Sequence, residues 1–306
     1  MIDAPVLREK ARALGFAACG VARCRPMAEQ EPRLRRWIDS GRHAGMEYMN
    51  RNRCVRLDPA RLAEGCRSVV VTLTAYPPVA PIKGRPHPVA AYAQQPDYHG
   101  AIKPRLYQLL DALRENHPEA RGRACVDSAP ILEKAWAVEA GLGWIGRNRL
   151  LINPDSGSYH WIGILLTDLE FSAYDTSYAK DGCGNCRRCL DACPTAALSA
   201  EDGLDARRCI SYHTLSNRRL IPNEVVEKSE GRLIGCDACQ VVCPHNARRL
   251  AEAPAADPAF DLTSEEWLTL DETGFFDRFG HTPLAEKGLE KIRQTVSQQL
   301  EIFQKE

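Results

Sequence analysis

The chain has 306 residues, enough for about two domains with a substantial buried core. Its 40 basic and 40 acidic side chains balance, which excludes a globally basic nucleic-acid-binding protein. No apolar signal segment follows Met1 and no apolar run has membrane-spanning length, so the composition predicts a cytoplasmic protein.

The N-terminal part of the chain alternates predicted helices and strands. Residues 4 to 15 have the apolar spacing of a helix, and residues 16 to 21 follow as a short strand. Residues 68 to 75 form the clearest strand, because they are rich in β-branched side chains. The proline-rich loop that follows runs up to Pro88, and its length leads us to expect that it lines a site.

The middle of the chain predicts a long helix, a second helix and a central strand. Tyr98 and His99 open the helix over 98 to 115, where His99 suits a helix cap and a substrate contact equally well. Asp127 precedes a helix predicted to start near Pro130, and its residue type suits a helix cap. Residues 159 to 167 are largely apolar, which predicts a strand in the centre of its sheet.

The stretch from Gly141 to Gly146 reads G-x-G-x-x-G. It follows a predicted helix and not a strand, so the context that dinucleotide binding requires is missing. We expect these glycines to let the backbone approach a large flat ligand closely.

Eight of the thirteen cysteines lie between residues 183 and 243, four in a first block, three in a second, and Cys209 alone between them. The first block, Cys-x₂-Cys-x₂-Cys-x₃-Cys-Pro, is the iron–sulfur run of bacterial ferredoxins, in which the fourth thiolate binds the other cluster. The second block is the same run without its first ligand, and Cys209 is the obvious replacement. The spacing predicts two [4Fe–4S] clusters, one held by Cys183, Cys186, Cys189 and Cys243, the other by Cys193, Cys209, Cys236 and Cys239.

Zinc and disulfides are the other uses of clustered cysteines. Zinc favours two separated pairs of ligands, and disulfides are rare in a reducing cytosol, so the spacing favours iron–sulfur clusters. Two clusters that exchange ligands between the two cysteine blocks indicate a one-electron relay. Such a relay needs an electron acceptor. The residues alone do not identify that acceptor, since no nicotinamide, flavin or histidine-ligated corrinoid fingerprint is visible.

Six stretches spread over about residues 45 to 250 match one family: Asp97–His99, Val126–Lys134, Ala140–Gly146, Gly157–Tyr159, Asp205–Tyr212 and Gly235–Gln240. Through them the chain resembles the epoxyqueuosine reductases, cobalamin-dependent enzymes of the last step of tRNA queuosine synthesis. It resembles a short form, without the C-terminal helical repeats of longer members.

The resemblance implies an α+β protein in three parts. An α/β cobalamin-binding catalytic domain, with a nitroreductase-like sheet flanked by helices, would span residues 1–175. A ferredoxin-like domain with two [4Fe–4S] clusters would span 176–250, and a short helical tail 251–306.

The resemblance also implies the reaction and its partners. Cobalamin would bind base-off, without a protein histidine on cobalt, and the two clusters would supply its electrons. The epoxide oxygen of epoxyqueuosine would be removed at the wobble position of tRNA. We expect tRNA and a low-potential electron donor as partners, no membrane association, and a monomer.

Several residues receive roles by their position in the family motifs. Asp127 becomes the proton donor, and a corrin ring against its carboxylate would supply the desolvation that this role needs. Tyr98 and His99 would lie near the substrate base. The predicted cobalamin contacts are Arg56, Ala90, Asp127, Leu151, Ile162, Ser211, Asp237 and Ala238.

The chain departs from the family in two places. Residues 94 to 96, Gln-Gln-Pro, replace a glycine and a basic residue, so we expect a differently shaped loop beside the substrate. Without helical repeats, tRNA binding would depend more on Arg218, Arg219 and the tail. On charge alone, the arginines near the clusters suit a phosphate-binding patch and a solvated face equally well.

Two other functions compete with this interpretation. One is a reductive dehalogenase-like corrinoid oxidoreductase, although such proteins usually carry a twin-arginine signal and this chain has none. The other is a ferredoxin-type electron carrier, which predicts cluster redox activity without affinity for a corrinoid.

Overall fold

The computed structural model describes residues 2–80, 84 and 86–303, and the chain forms two compact units. The first unit contains residues 1–41, 47–76 and 98–185, and the second contains 42–46, 77–97 and 186–306. Helices combined with antiparallel strands confirm the predicted α+β class. The division into three parts at residues 175 and 250 stays a prediction. Among the described residues, no helix is long and apolar enough to cross a membrane.

A four-stranded antiparallel sheet organises the first unit. The strands of this unit are β1 Ala18–Arg23, β2 Ser68–Ala75, β3 Gly122–Cys125, β4 Trp144–Ile145, β5 Leu151–Ile152 and β6 His160–Thr167. The order in the sheet is β1-β2-β6-β3, and all eight residues of β2 pair with β6. The predicted central position of the strand over 159 to 167 is therefore confirmed.

The helices of the first unit flank this sheet. They are α1 Ala4–Ala13, α2 Glu31–Asp39, α3 Tyr48–Arg51, α4 Arg53–Leu57, α5 Tyr98–Arg114 and α6 Glu133–Glu139. Trp136 of α6 is fully buried in a core cluster that includes β2 and β6 residues such as Val71 and Ile164. Burying a large apolar side chain contributes about 1.5–3 kcal/mol, so this contact fixes α6 firmly on the sheet.

Helix α6 begins later than predicted. Its N-cap position is Leu132, two residues after Pro130, so the interpretation of Asp127 as a helix cap is wrong. The intervening residues form tight turns instead. The amide of Ser128 donates to the Val126 carbonyl at 2.6 Å, and the amide of Ile131 donates to the Ala129 carbonyl at 2.8 Å. Asp127 therefore lies on a loop between β3 and α6.

The glycines between residues 141 and 146 have a packing role. Gly143 has φ +145°, and a Cβ atom there would lie 2.1 Å from the carbonyl oxygen of Ile152. A Cβ atom on Gly146 would lie 2.5 Å from the Ile152 side chain. Strands β4 and β5 pair at this point. Protein atoms therefore lie beside these two glycines, and the expected approach of a flat ligand to this stretch stays a prediction.

The second unit has many short elements around an aromatic core. The elements are α7 Arg188–Asp191, β7 Leu198–Ser199, β8 Gly203–Leu204, α8 Ile210–Leu215, α9 Asn223–Glu227, α10 Ala238–Val241, α11 Ala247–Ala251, α12 Ser264–Thr269, α13 Glu272–Phe279, α14 Leu284–Lys287 and α15 Leu289–Phe303. Trp267, Phe275 and Phe279 are fully buried, and Val89 and Ile234 belong to the same cluster. The C-terminal helices therefore pack on the segment that contains the cysteines.

We predict that Gly143→Ala destabilises the first unit, because the new Cβ meets the Ile152 carbonyl and the backbone conformation is unfavourable for alanine. The loss of unfolding free energy should be roughly 2 kcal/mol or more, measured by chemical denaturation. Gly65→Ala is the matched control: φ is +74° there, but no atom lies within 4 Å of the added Cβ. Equal losses in both variants would contradict the packing explanation.

Candidate active site

Asp127 and the first turn of α5 form one polar group in the first unit. The Tyr98 hydroxyl donates to Asp127 Oδ2 at 2.9 Å, and His99 Nε2 lies 3.5 Å from the same oxygen. Asp127 has φ +53°, which is uncommon for a residue with a side chain and points to a locally constrained backbone. The structure thus brings together the predicted proton donor and both residues predicted to lie near the substrate.

Aromatic rings extend this group along the sheet. The Tyr98 ring stacks on His99 at 4.1 Å and on Trp161 at 5.1 Å, and Trp161 lies 4.5 Å from Tyr76, all between ring centroids. Tyr98 is buried, whereas the His99 side chain is 25% exposed, so His99 is the more accessible end of the row. Trp161 was not predicted as a site residue, because one tryptophan in an apolar strand has no signal that separates it from core.

The protein alone does not desolvate the Asp127 carboxylate, since 64% of that side chain is exposed. The desolvation expected for a proton donor would therefore have to come from a bound cofactor or substrate. A second carboxyl group nearby is less exposed than that of Asp127. Glu133, in the first turn of α6, accepts a hydrogen bond from the Asp127 amide at 2.6 Å.

Burial raises the pKa of Glu133 to about 8, and the negative charge of Asp127 acts in the same direction. Two carboxyl groups in one site therefore have very different surroundings, an arrangement common where acids and bases act together. Sequence reasoning did not assign Glu133 a role. A glutamate in the first turn of a helix is ordinary, and only the fold shows that this one is half-buried beside Asp127.

Arg56 is the third charged residue here. It is only 8% exposed, and its Nε has no hydrogen-bond partner among the described residues. Burial lowers its pKa, while Tyr48, Glu133 and Asp127 favour its charged form. A buried guanidinium with an unused donor is suited to bind an anionic or carbonyl group of a ligand.

The other predicted cofactor contacts of the first unit lie in its core. Leu151 is 2% exposed and belongs to the cluster around Trp136, and Ile162 packs partly against that cluster. Their side chains are used in core packing, which leaves their backbone atoms as the possible ligand contacts.

A cavity of about 500 Å³ lies within the second unit. This volume is in the usual range for small-molecule and cofactor sites. Three of the predicted cobalamin contacts, Ala90, Asp237 and Ala238, line it. The loop after β2 also contributes lining residues, as expected, although residues 81–83 and 85 of that loop lie outside the described residues. Ser211 is on α8 and is not among the described lining residues.

Asp237 holds one wall of this cavity in place. Its Oδ2 accepts from the Ala91 amide at 2.6 Å, and burial raises its pKa to about 6.

Gln94 and Gln95, where the sequence departs from the family pattern, also shape the loop that precedes α5. Gln94 donates to the Val89 carbonyl at 2.7 Å and lines the cavity, and Gln95 donates to the Ala91 carbonyl at 3.3 Å.

Five thiols of the second unit lie close enough to affect one another electrostatically: Cys189, Cys193, Cys209, Cys236 and Cys239. Burial raises the pKa of Cys209, raises that of Cys236 to about 11 and raises that of Cys239 well above its ordinary value. Further increases come from neighbouring thiolates: Cys193 acts on Cys209, and Cys209 acts on Cys236 and Cys239. The isolated Cys209 is thus brought to the second cysteine block, where a cluster short of one ligand needs it.

The chemistry of this set fits an iron–sulfur cluster. Bound iron deprotonates thiols that burial otherwise keeps neutral, and the Ala197 amide already donates to Cys193 Sγ at 3.2 Å. Within the described ranges, no three His, Cys, Asp or Glu side chains are grouped to hold a single metal ion. The other predicted set divides between the units, with Cys183 in the first and Cys186, Cys189 and Cys243 in the second, and its grouping stays a prediction.

Arg218 and Arg219 are exposed on the loop after α8, next to Leu220, which is 64% exposed. Their side chains are accessible to a large partner, and their predicted contact with tRNA stays a prediction.

Comparison with known proteins decides the family. Residues 182–246 match the model of a 4Fe-4S double cluster binding domain, and residues 56–128 match that of Epoxyqueuosine reductase QueG. An epoxyqueuosine reductase of Cyclobacterium marinum is 37% identical over 294 residues, covering 95% of this chain and 94% of the relative. The chain belongs to the epoxyqueuosine reductase family. The predicted resemblance and the predicted enzyme class, an oxidoreductase, are confirmed.

Solved structures of epoxyqueuosine reductases agree with this assignment. One, in complex with an epoxyqueuosine-modified tRNA-Tyr stem loop, has a TM-score of 0.85 at 28% identity, covering 98% of this chain and 81% of its own. One from Bacillus subtilis, with its catalytic loop swung out of the active site, has a TM-score of 0.86 at 28% identity and the same coverage. The fold of this epoxyqueuosine reductase family member is therefore that of its relatives.

We predict that Glu133 makes stability depend on pH. Because its pKa is about 8 in the folded protein and 4.5 ordinarily, its contribution is complete below pH 4.5 and is lost as the pH rises to about 8. The melting temperature of the wild type should fall more steeply between pH 5 and 8 than that of Glu133→Gln. The loss of unfolding free energy between pH 5 and 8 should be larger in the wild type by on the order of 2 kcal/mol, since the partial exposure of Glu133 reduces the effect. Parallel pH profiles for the two proteins would contradict the assigned pKa.

Proposed function

We propose that this protein reduces epoxyqueuosine to queuosine at the wobble position of tRNA. The observation that carries the proposal is family membership over nearly the whole length of the chain and of its relative. A structural neighbour that binds an epoxyqueuosine-modified tRNA stem loop supports the same substrate. The protein would act in the cytoplasm as a monomer and receive electrons from a low-potential donor.

The reaction consumes two electrons and two protons. Both carbon–oxygen bonds of the epoxide break, the two carbons form a double bond, and the oxygen leaves as water. Asp127 would donate a proton to that oxygen, for which its exposed carboxyl group is accessible. Tyr98 orients the carboxyl group through its hydroxyl, and His99 presents its ring beside it.

The cavity of the second unit would hold part of a base-off cobalamin. Its lining by Ala90, Asp237 and Ala238 supports this assignment, because each was predicted from the family motifs. Arg56, Leu151, Ile162 and Ser211 remain further candidate contacts. When bound, cobalamin supplies a strongly reducing cobalt centre, and the residues of the chain bind it, exclude water and donate protons.

Electrons would reach this cavity through the cluster held by Cys193, Cys209, Cys236 and Cys239. Cys236 lines the cavity itself, as do the residues next to Cys193 and Cys239, Ala192 and Ala238. The cluster would therefore lie directly behind the cavity wall. The other predicted cluster, with Cys183, Cys186, Cys189 and Cys243, would accept electrons from the donor.

Asp127 lies on a loop, and the Bacillus subtilis relative was solved with its catalytic loop swung out of the active site. We infer that the loop between β3 and α6 moves in the same way in this protein. Its tight turns and its exposed carboxyl group support this inference. Closure of the loop would then bring the proton donor to a bound substrate.

The function is tested by loading the protein anaerobically with clusters and cob(II)alamin and assaying epoxyqueuosine-containing tRNA. Base-off binding should remove the nitrogen coupling of the cofactor's own base from the electron paramagnetic resonance spectrum without a new coupling. Asp127→Asn should bind cofactor and clusters normally but lose at least about 100-fold in turnover, because the amide does not deliver a proton.

Ser128→Ala, in the same loop, is the control and should retain turnover. Normal activity of Asp127→Asn would remove Asp127 from the mechanism. Cluster reduction without any corrinoid binding would instead favour the electron-carrier function, and turnover of a halogenated substrate but not of tRNA would favour the dehalogenase-like one.

We also predict that Cys209→Ala loses one cluster and keeps the other, because Cys209 completes only the second ligand set. Iron content should fall from about eight to about four atoms per chain. Cys54→Ala is the matched control, since Cys54 is exposed and outside both cysteine blocks. Unchanged iron in Cys209→Ala, with normal circular dichroism, would refute the ligand assignment.

A further inference from the structure

The backbone of Asp127 makes a short hydrogen bond to a side chain. Its φ of +53° is unfavourable for a residue with a Cβ atom, so the loop needs an interaction that favours this conformation. The Asp127 amide donates to Glu133 Oε1 at 2.6 Å. Tyr98 and His99 contact the carboxylate, not the backbone, of Asp127.

Glu133 is well placed to impose a position on the loop. It is in the first turn of α6. Ala135, Trp136 and Ala137 of the same helix are all buried in the core of the first unit. The acceptor is therefore mounted on a rigid element, whereas the donor is on a loop. A hydrogen bond between the two transfers the rigidity of α6 to the loop.

We propose that Glu133 is a positioning residue of the reductase: by accepting the Asp127 amide, its carboxyl group holds the loop closed and directs the Asp127 carboxyl group toward Tyr98. This inference rests on the proposed function, in which Asp127 is the proton donor and its loop moves. Glu133 sets the balance between the closed and open loop and takes no part in the chemistry.

The surroundings of Glu133 indicate whether its protonated or its ionised form accepts the hydrogen bond from the Asp127 amide. Asp127, Lys134 and Arg56 are the charged groups that act on it, and burial outweighs the two cations. With a pKa of about 8, Glu133 is mainly protonated at neutral pH. It then accepts the amide through a carbonyl-type oxygen, as the side-chain amide of glutamine also does. Glutamine should therefore replace it, and alanine should not.

The test compares Glu133→Ala with Glu133→Gln in the cluster- and corrinoid-loaded protein. Amide hydrogen exchange of residues 127–132 should become about tenfold faster or more in Glu133→Ala and remain near wild type in Glu133→Gln. Turnover of epoxyqueuosine-containing tRNA should fall about tenfold or more in Glu133→Ala, with KM changed less than about threefold. Glu133→Gln should restore most of that turnover.

Glu139→Ala is the control, because Glu139 ends the same helix and contacts Arg25 and Ser177, not the loop. It should leave exchange of residues 127–132 unchanged. Wild-type exchange in Glu133→Ala would overturn the proposal, and so would a glutamine variant as impaired as the alanine variant, which would assign Glu133 a chemical role. A wild type that does not reduce epoxyqueuosine would instead overturn the proposed function, and the exchange data would still report on the contact itself.

Discussion

The second unit is organised around partly buried thiols whose surroundings disfavour the charged form. Cys209, Cys236 and Cys239 are desolvated and lie near one another, so each additional thiolate makes the next less favourable. Bound iron reverses this preference, because it deprotonates its thiol ligands. The charged thiolates that a cluster requires would therefore be stabilised by the bound iron itself.

The same short stretch of chain also builds the cavity. Asp237 separates two predicted cluster ligands, and its carboxylate fixes the Ala91 amide across the cavity wall. A change in the cluster ligands would thus disturb the cofactor site, and the reverse also holds. If the cluster and the cofactor bind as proposed, this shared construction would keep the electron donor and the acceptor at a fixed separation, which a relay requires.

Much of this arrangement was predictable, and the failures have a common cause. Strand β2 and helix α5 follow local residue patterns, and the cysteine spacing identified the clusters because metal geometry restricts it. The start of α6 was misplaced, since tight turns at Ser128 and Ile131 replaced a helical turn that the residue types also allow. The space beside Gly143 is filled by Ile152, a partner that only the tertiary fold supplies. Burial of Glu133 depends on the same kind of long-range packing.

The loop position of Asp127 would reconcile two requirements of the proposed proton donor. A large RNA substrate has to enter and leave, which favours a mobile and exposed Asp127, whereas proton transfer requires a fixed position. A proton donor placed on helix α6 itself would have the fixed position but not the mobility. Hydrogen bonds of moderate strength, from Tyr98 to the carboxylate and from the Asp127 backbone to Glu133, would satisfy both in the proposed moving loop, because they can form when the loop closes and break without unfolding any packed element. The left-handed backbone at Asp127 adds to this balance, since its unfavourable energy partly offsets the hydrogen bonds and keeps the open loop accessible.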